Sequence, residues 1–413
     1  MDHDPLFDYY SPGFLADPYP FYARLRAVDP VHWGLPYEPY YDGAWHITRY
    51  ADVAALLKDP RLGKAELADE RGREAIAELP PEAHAYLGLL RLAMLRTDPP
   101  DHTRLRGLVS RAFTPRMVEA LRPRVEAIAT ELLDTAEAKG GADGELDLID
   151  QYAFPLSITV ITEMLGLDYD DRAQLKRWAG VLVSALECKR TTERYAPASA
   201  ISAEVFEFFH QQIALRRREP RPGILSDLLA VRDQDGDRLT EPELIVTCTL
   251  LLVAGHDTTV NLIGNGMLAL LRRPEQLALL RDRPELTPAA VEEFLRYDSS
   301  TQMAARVAQE DVELDGKVIQ RGQAVNLLLG SANHDPAQFA NPDQLDVTRT
   351  DNKHIAFGQG IHYCIGAPLA RLEAQTAVSL LLRRRPHLEL AVAEPPRRPT
   401  VSFRGLERLP VVG

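Results

Sequence analysis

The stretch "HIAFGQGIHYCIGAPLARLE", residues 354–373, sets Gly358, Gly360, Gly366 and His362 close around one cysteine, Cys364. Three chemistries compete for that thiol. A packed core cysteine leaves the glycines without a use. A zinc site needs more ligands, and His362-x-Cys364 with His354 lacks the paired Cys-x-x-Cys spacing of ordinary sites. The third reading is a thiolate held axially in a loop, with glycines that let the backbone lie flat under a large planar ligand. The order Phe357-Gly-x-Gly-x-x-x-Cys-x-Gly favours this reading, as does a helix predicted to begin near Pro368. One anionic sulfur at a helix N-terminus is electrostatically favourable.

Three other motifs could carry or support chemistry. "LLLVAGHDTTVN" puts Gly255 inside an apolar helix, where glycine costs about 1 kcal/mol against alanine. Thr258 can bond back to the Ala254 carbonyl and bend the helix. Asp257 is harder to explain as packing, because a buried charge is costly unless it is used or paired. In "DPPDHTRLRGLVSRAF", Asp98 is a candidate N-cap, followed by prolines, and His102 and Arg106 share one helix face. With Arg96 and Arg116 on its flanks, Arg104, Arg106 and Arg111 make five arginines against Asp98 and Asp101, a local charge of +3 that alone reads as a solvated basic face. "TPAAVEEFLRY" has Thr287 as candidate cap, with Glu293 and Arg296 three apart on one face. An isolated Glu-x-x-Arg is ordinarily a surface ion pair.

The elements that must position these residues are mostly helical up to about residue 290. "PYPFYARLRA" and "YADVAALLKDP" read as helices, with a strand at "AWHITRY" between them. "TPRMVEALRPRVEAIATELLDTAEAKGG" reads as a single helix ending at Gly140 and Gly141. The segment between Pro242 and Pro274 predicts a helix of about 45 Å. Its first half is apolar all round, so it should be central and buried. After Tyr297 the pattern changes: Asp315-Gly316 between alternating apolar runs predicts a two-residue hairpin, and the C-terminal "PTVSFRGLERLPVV" returns to strand. The fold class expected is mainly α with small β-sheets (α+β), as one domain over 1–413, with a helix-rich body at about 70–300.

The chain has 413 residues and a net charge of −13, which disfavours general binding to nucleic acid or anionic membrane. Three cysteines, Cys188, Cys248 and Cys364, argue for a reducing compartment. No signal peptide is read at the acidic N-terminus, and no apolar run reaches the ~18 residues of a membrane span. A cytoplasmic, non-membrane protein, monomeric, is expected.

"FGQGIHYCIG", "EFLR" and "AGHDTT" together resemble the signature set of the cytochrome P450 haem-thiolate monooxygenases, and "DPPDHTRLR", "MAARVA" and "FRGLERLPV" resemble their soluble bacterial branch. The resemblance spans nearly the whole chain. It implies haem b (iron protoporphyrin IX), with Cys364 on the iron and Phe357 shielding the sulfur. Gly358, Gly360 and Gly366 match the loop glycines. His102, Arg106, Arg306 and His362 match positions that hold the propionates. Ala254 and Gly255 match the bend where dioxygen sits, and Thr258 with Asp257 matches the alcohol–acid pair that delivers protons. Glu293 and Arg296 match a buried structural pair. Gln359, where histidine or arginine is common, is a small departure, and His256 is a usual variant.

The resemblance further implies a separate electron donor, a ferredoxin or flavodoxin with its NAD(P)H-dependent reductase. A ferredoxin is expected to dock near Arg104, Arg111 and Lys353. By family analogy the substrate pocket is lined by Arg61 to Met94, Leu182 to Ala200, Leu250 to Ala254, Thr301 to Ala305 and the turn near Phe403. Its small apolar residues suit hydroxylation or epoxidation of a medium-to-large apolar molecule: a terpenoid, steroid, polyketide or macrolide, or fatty acid. A peroxide-driven peroxygenase and a non-catalytic haem carrier or sensor are the alternatives; retention of Asp257 and Thr258 speaks against both.

Overall fold

The computed structural model describes residues 6–36, 41–64, 74, 77–79, 81–140, 144–167, 171–187, 193–232 and 236–413, so Cys188 lies outside the described residues. The helices that position the site are α1 (Pro81–Leu90), α2 (Asp101–Ala112), α3 (Arg122–Gly140), α4 (Phe154–Leu165), α5 (Arg172–Leu186), α6 (Tyr195–Arg218), α7 (Glu241–Leu271), α8 (Thr287–Tyr297) and α9 (Ala367–Arg384).

Helix α7 begins at a reciprocal cap: Thr240 Oγ1 accepts from the Glu243 amide at 3.4 Å, and Glu243 Oε2 accepts from the Thr240 amide at 2.8 Å. It runs for 31 residues and is largely buried, as its apolar circumference requires. Among the described residues it is the one helix long and apolar enough to cross a bilayer, yet it is the core element around which α4, α8 and α9 pack. Gly255 has a packing reason. A Cβ there would lie 2.9 Å from Ile161 Cδ1 on α4, so the glycine lets the two helices approach.

Small sheets flank this helical body. Strands β1 (Val31–Gly34), β2 (Ala44–Ile47), β3 (Leu62–Gly63), β4 (Ala304–Ala308) and β5 (Ala324–Leu327) form one sheet in the order β1-β2-β5-β4-β3. The β2–β5 pair is parallel and the other pairs are antiparallel, so N-terminal strands lie beside strands some 260 residues later. The predicted hairpin pairs Val312–Leu314 with Lys317–Ile319, and Asp315 (φ 52°) and Gly316 (φ 73°) both take the left-handed conformation of its turn. Pro410–Val412 is a strand, between Leu146–Asp147 and Glu389–Leu390.

Three local expectations are corrected. The single helix expected from Thr114 to Gly141 is two, Pro115–Ala120 and α3, broken at Leu121. Pro123 has no amide proton to continue the helical ladder. Asp98 does not cap α2; its carboxylate accepts from the Lys64 amide at 2.8 and 2.9 Å, and α2 starts after Pro100. Thr287 lies inside α8 rather than capping it, and its hydroxyl donates to the Pro284 carbonyl at 2.8 Å.

Candidate active site

The cysteine loop is closed by the Cys364 amide donating to the Phe357 carbonyl at 3.0 Å. Gly358 (φ 68°) and Gly360 (φ 71°) take left-handed conformations. A Cβ on Gly360 would also lie 2.6 Å from the Leu57 carbonyl oxygen, so this position admits only glycine. Gly366, with φ −80°, has ordinary backbone. Its use lies in its amide. The N–H groups of Gly366 and Ala367, at the start of α9, favour negative charge on Cys364 Sγ, as do Arg106 and Arg371, against burial, which pushes the thiol up.

A second layer, missed in the sequence, stiffens this loop. Arg371 makes a two-bond fork to Glu292 at 2.7 and 2.8 Å and stacks 4.7 Å over the Phe357 ring. His354 Nε2 bonds Glu292 at 3.0 Å, and its Nδ1 accepts from the Ala356 amide at 3.2 Å. Both ring nitrogens are therefore engaged, and the zinc reading loses its third ligand. Burial would raise Glu292, but Arg371 and His354 bring it down to about 2. The only signal in the sequence was Glu292 standing beside Glu293.

His102 and His362 meet with ring centroids 4.3 Å apart. Both Nε2 atoms are buried without a hydrogen-bond partner. Burial first, then Lys64, Arg306, His102 and Arg106, push His362 down to about 2. Both imidazoles thus keep a buried nitrogen without a partner within the chain, in surroundings where Lys64, Arg306 and Arg106 favour negative charge. The two propionates of a haem would answer both needs, so the residues fit the group. Arg306, on β4, is buried and donates to the Ala305 carbonyl at 2.9 Å. Arg106 reaches the Tyr363 carbonyl at 2.7 Å, tying α2 to the residue before Cys364.

On α7 the side chains left open in an otherwise buried stretch include Leu250, Ala254 and Thr258. Spaced by four, they form one stripe along the helix. Thr258 Oγ1 donates to the Ala254 carbonyl at 3.0 Å, as expected. Asp257, one position away, is paired: Arg398 donates to Oδ1 at 2.6 Å and Asn261 to Oδ2 at 3.3 Å. Arg398 was not anticipated; it sits in the Pro-rich run near the C-terminus, which carried no motif.

Glu293 and Arg296 are both fully buried and form a two-bond pair at 2.8 Å each. Arg296 also donates to the carbonyls of Asn333, Pro342 and Gln344, and Glu293 accepts from the Asp346 amide, Arg349 and Asn352. The pair thus organises residues 333–352, which lead into the cysteine loop.

An apolar cavity lies between α1, α5, α6 and α7, lined by Tyr86, Leu90, Leu182, Leu186, Phe206 and Val253 among others, with no charged side chain among the described residues. It adjoins the open stripe of α7 through Leu250. Three of the expected lining segments contribute, although residues 65–73 lie outside the described residues. Thr301–Ala305 and Phe403 do not line this cavity, and the α6 contribution (Ser202, Val205, Phe206) was not anticipated. The cations expected to meet a ferredoxin are engaged within the chain. Arg104 pairs with Glu243 and Asp237, Arg111 with the Arg232 carbonyl, and Lys353 with Asp351. Ile361 and Tyr363 of the cysteine loop are exposed.

A protein-family model, Cytochrome P450, matches residues 70–400. The sequence is 43% identical over 404 residues to the biotin biosynthesis cytochrome P450 of Bacillus subtilis, covering 97% of each chain. It is 44% identical over 401 residues to cytochrome P450 monooxygenase PikC of Streptomyces venezuelae, covering 96% of this chain and 91% of that one. The crystal structure of P450BioI in complex with an acyl carrier protein ligated to hexadec-9Z-enoic acid matches with a TM-score of 0.87 and 42% identity, over 97% of this chain and 98% of that one.

Proposed function

The chain belongs to the cytochrome P450 family and is a haem-thiolate monooxygenase using haem b, and on that premise we propose that Cys364 is the axial ligand of its iron. His102, Arg106, Arg306 and His362 hold the propionates, and Phe357 with the loop glycines shapes the face beneath the ring. When bound, the haem supplies reductive activation of dioxygen and insertion of one oxygen atom into substrate. What the chain supplies is charge, protons and exclusion of water. Burial pushes the Cys364 thiol up, and the amides of Gly366 and Ala367, with Arg106 and Arg371, work against it by favouring negative charge on Sγ. Thr258, on the open stripe of α7, presents a hydroxyl whose proton can turn from the Ala254 carbonyl toward the ring space. Asp257 refills that proton from solvent, and Arg398, itself partly exposed, holds the carboxylate ready. Glu293 and Arg296 act structurally.

The observation that carries this reading is the stripe Leu250–Ala254–Thr258. It runs from an apolar cavity to the acid–alcohol pair on one continuous helix. Such a wall suits a medium-to-large apolar substrate whose polar groups stay outside the cavity, consistent with the acyl ligand in the P450BioI complex. Electrons come from a separate ferredoxin or flavodoxin with its NAD(P)H-dependent reductase, docking over the exposed Ile361 and Tyr363 of the loop face. The protein works as one domain, as a monomer, in the cytoplasm. The test compares NADPH-driven turnover through a ferredoxin chain with turnover on peroxide alone. Product from the ferredoxin chain, with little from peroxide, is expected; the reverse would make it a peroxygenase.

A further inference from the structure

The C-terminal turn at Val401–Phe403 is held in an unusual way. Glu187, the residue after α5, is almost wholly buried, and its carboxylate accepts from three successive backbone amides. Val401 donates to Oε2 at 2.8 Å, Ser402 to Oε2 at 3.2 Å and Phe403 to Oε1 at 2.8 Å. Glu187 is itself steadied by Arg194, at the start of α6, which donates to its carbonyl at 2.8 Å. On its other side the turn is fixed to the segment Ser300–Gln302, ahead of β4: the Gln302 amide donates to the Ser402 carbonyl at 2.8 Å, and the Arg404 amide to the Ser300 carbonyl at 2.7 Å. The neighbouring residue in α5, Leu186, is part of the cavity wall, as is Leu182 one turn back. The end of α5 therefore cannot leave the cavity without withdrawing the carboxylate from all three amides.

We propose that Glu187 is a positioning residue for substrate admission, fastening the cavity wall made by α5 to the turn at Val401–Phe403. It rests on the reading that this cavity takes the substrate. Opening the wall exchanges three charge-assisted hydrogen bonds for water, so Glu187 sets how fast a bulky ligand enters and leaves. It touches neither substrate nor cofactor. Its effect acts through Leu186 and Leu182, and it should change ligand exchange while leaving the ring environment alone.

The test uses the haem-loaded protein and two iron-binding probes, bulky clotrimazole and small cyanide, followed by their absorbance changes in stopped flow. Glu187→Gln presents an amide N–H₂ to backbone donors and loses at least one bond. Clotrimazole dissociation should then speed up about tenfold, the effect of one charge-assisted hydrogen bond, with cyanide dissociation unchanged. Glu187→Asp, which keeps the charge, should fall between. An unchanged clotrimazole rate, or an equal acceleration of both probes, overturns the proposal. A second measurement needs no variant: in the unaltered holoprotein, the Val401, Ser402 and Phe403 amides should exchange hydrogen slowly and together with the end of α5. Exchange as fast as in an exposed turn overturns the proposal by itself. Failure of clotrimazole to bind would count against the cavity reading, and amide exchange would still decide the role of Glu187.

Discussion

Glu373 on α9 is a fully buried carboxyl whose two oxygens find no hydrogen-bond partner. Burial raises it to about 8, against a smaller opposing effect of nearby Ser157 on α4. In the unfolded chain the same group titrates near its ordinary 4.5. Between those values the folded protein keeps a proton that the unfolded chain has lost, so the contribution of this group to stability is fully present below about pH 4.5 and is lost as pH rises through about 8. At about 1.4 kcal/mol per unit, the gap costs about 5 kcal/mol once the group must ionise. Glu373→Gln keeps the shape and removes the titration. The variant should match the parent near pH 5 and unfold at a distinctly higher temperature near pH 9, where most of that cost has accrued. Thermal unfolding of both holoproteins across this range reads the difference directly, and other titrating groups cancel in the comparison. Infrared spectroscopy at pH 6 should show a protonated carboxyl band that the variant lacks. A variant advantage that stays constant with pH, or no such band, would refute the reasoning.

Three further outcomes are expected. Thr258→Ala should lower product formed per NADPH severalfold while haem content and substrate-induced spectra stay intact; unchanged coupling would remove the hydroxyl from proton delivery. Glu293→Ala strands Arg296 as a buried charge and should cost about 3–5 kcal/mol, seen as a lower unfolding temperature and weakened haem retention. Gly360→Ala forces a side chain into a left-handed conformation, with its Cβ 2.6 Å from a backbone oxygen. It should cost about 2–4 kcal/mol, again visible in thermal unfolding.

The motifs with local rules were legible in the sequence: the hairpin turn at Asp315-Gly316, the central helix between Pro242 and Pro274, and the loop around Cys364. Each follows from backbone conformation or apolar periodicity within a few residues. Harder to read were features made by distant chain segments. The pairing of β2 with β5 joins residues about 280 apart, and no periodicity announces which strands meet. The partners that hold the site share this character. Arg398 reaches Asp257 from 141 positions away, Arg371 reaches Glu292 from 79, and Glu187 reaches the Val401–Phe403 turn from more than 200. The open stripe on α7 was hidden for another reason: Leu250 and Ala254 are as apolar as their buried neighbours, so burial there depends on what packs outside the helix. Predicted caps failed where proline set the start of the helix, as at Pro100 before α2.

The proposed ligation of iron by Cys364 sulfur is the central claim, and an absorption spectrum of the reduced holoprotein under carbon monoxide tests it most directly. The account predicts the strongly red-shifted Soret band of thiolate ligation, lost in Cys364→His. A band at the position typical of a nitrogen-ligated haem in the unaltered protein would contradict it.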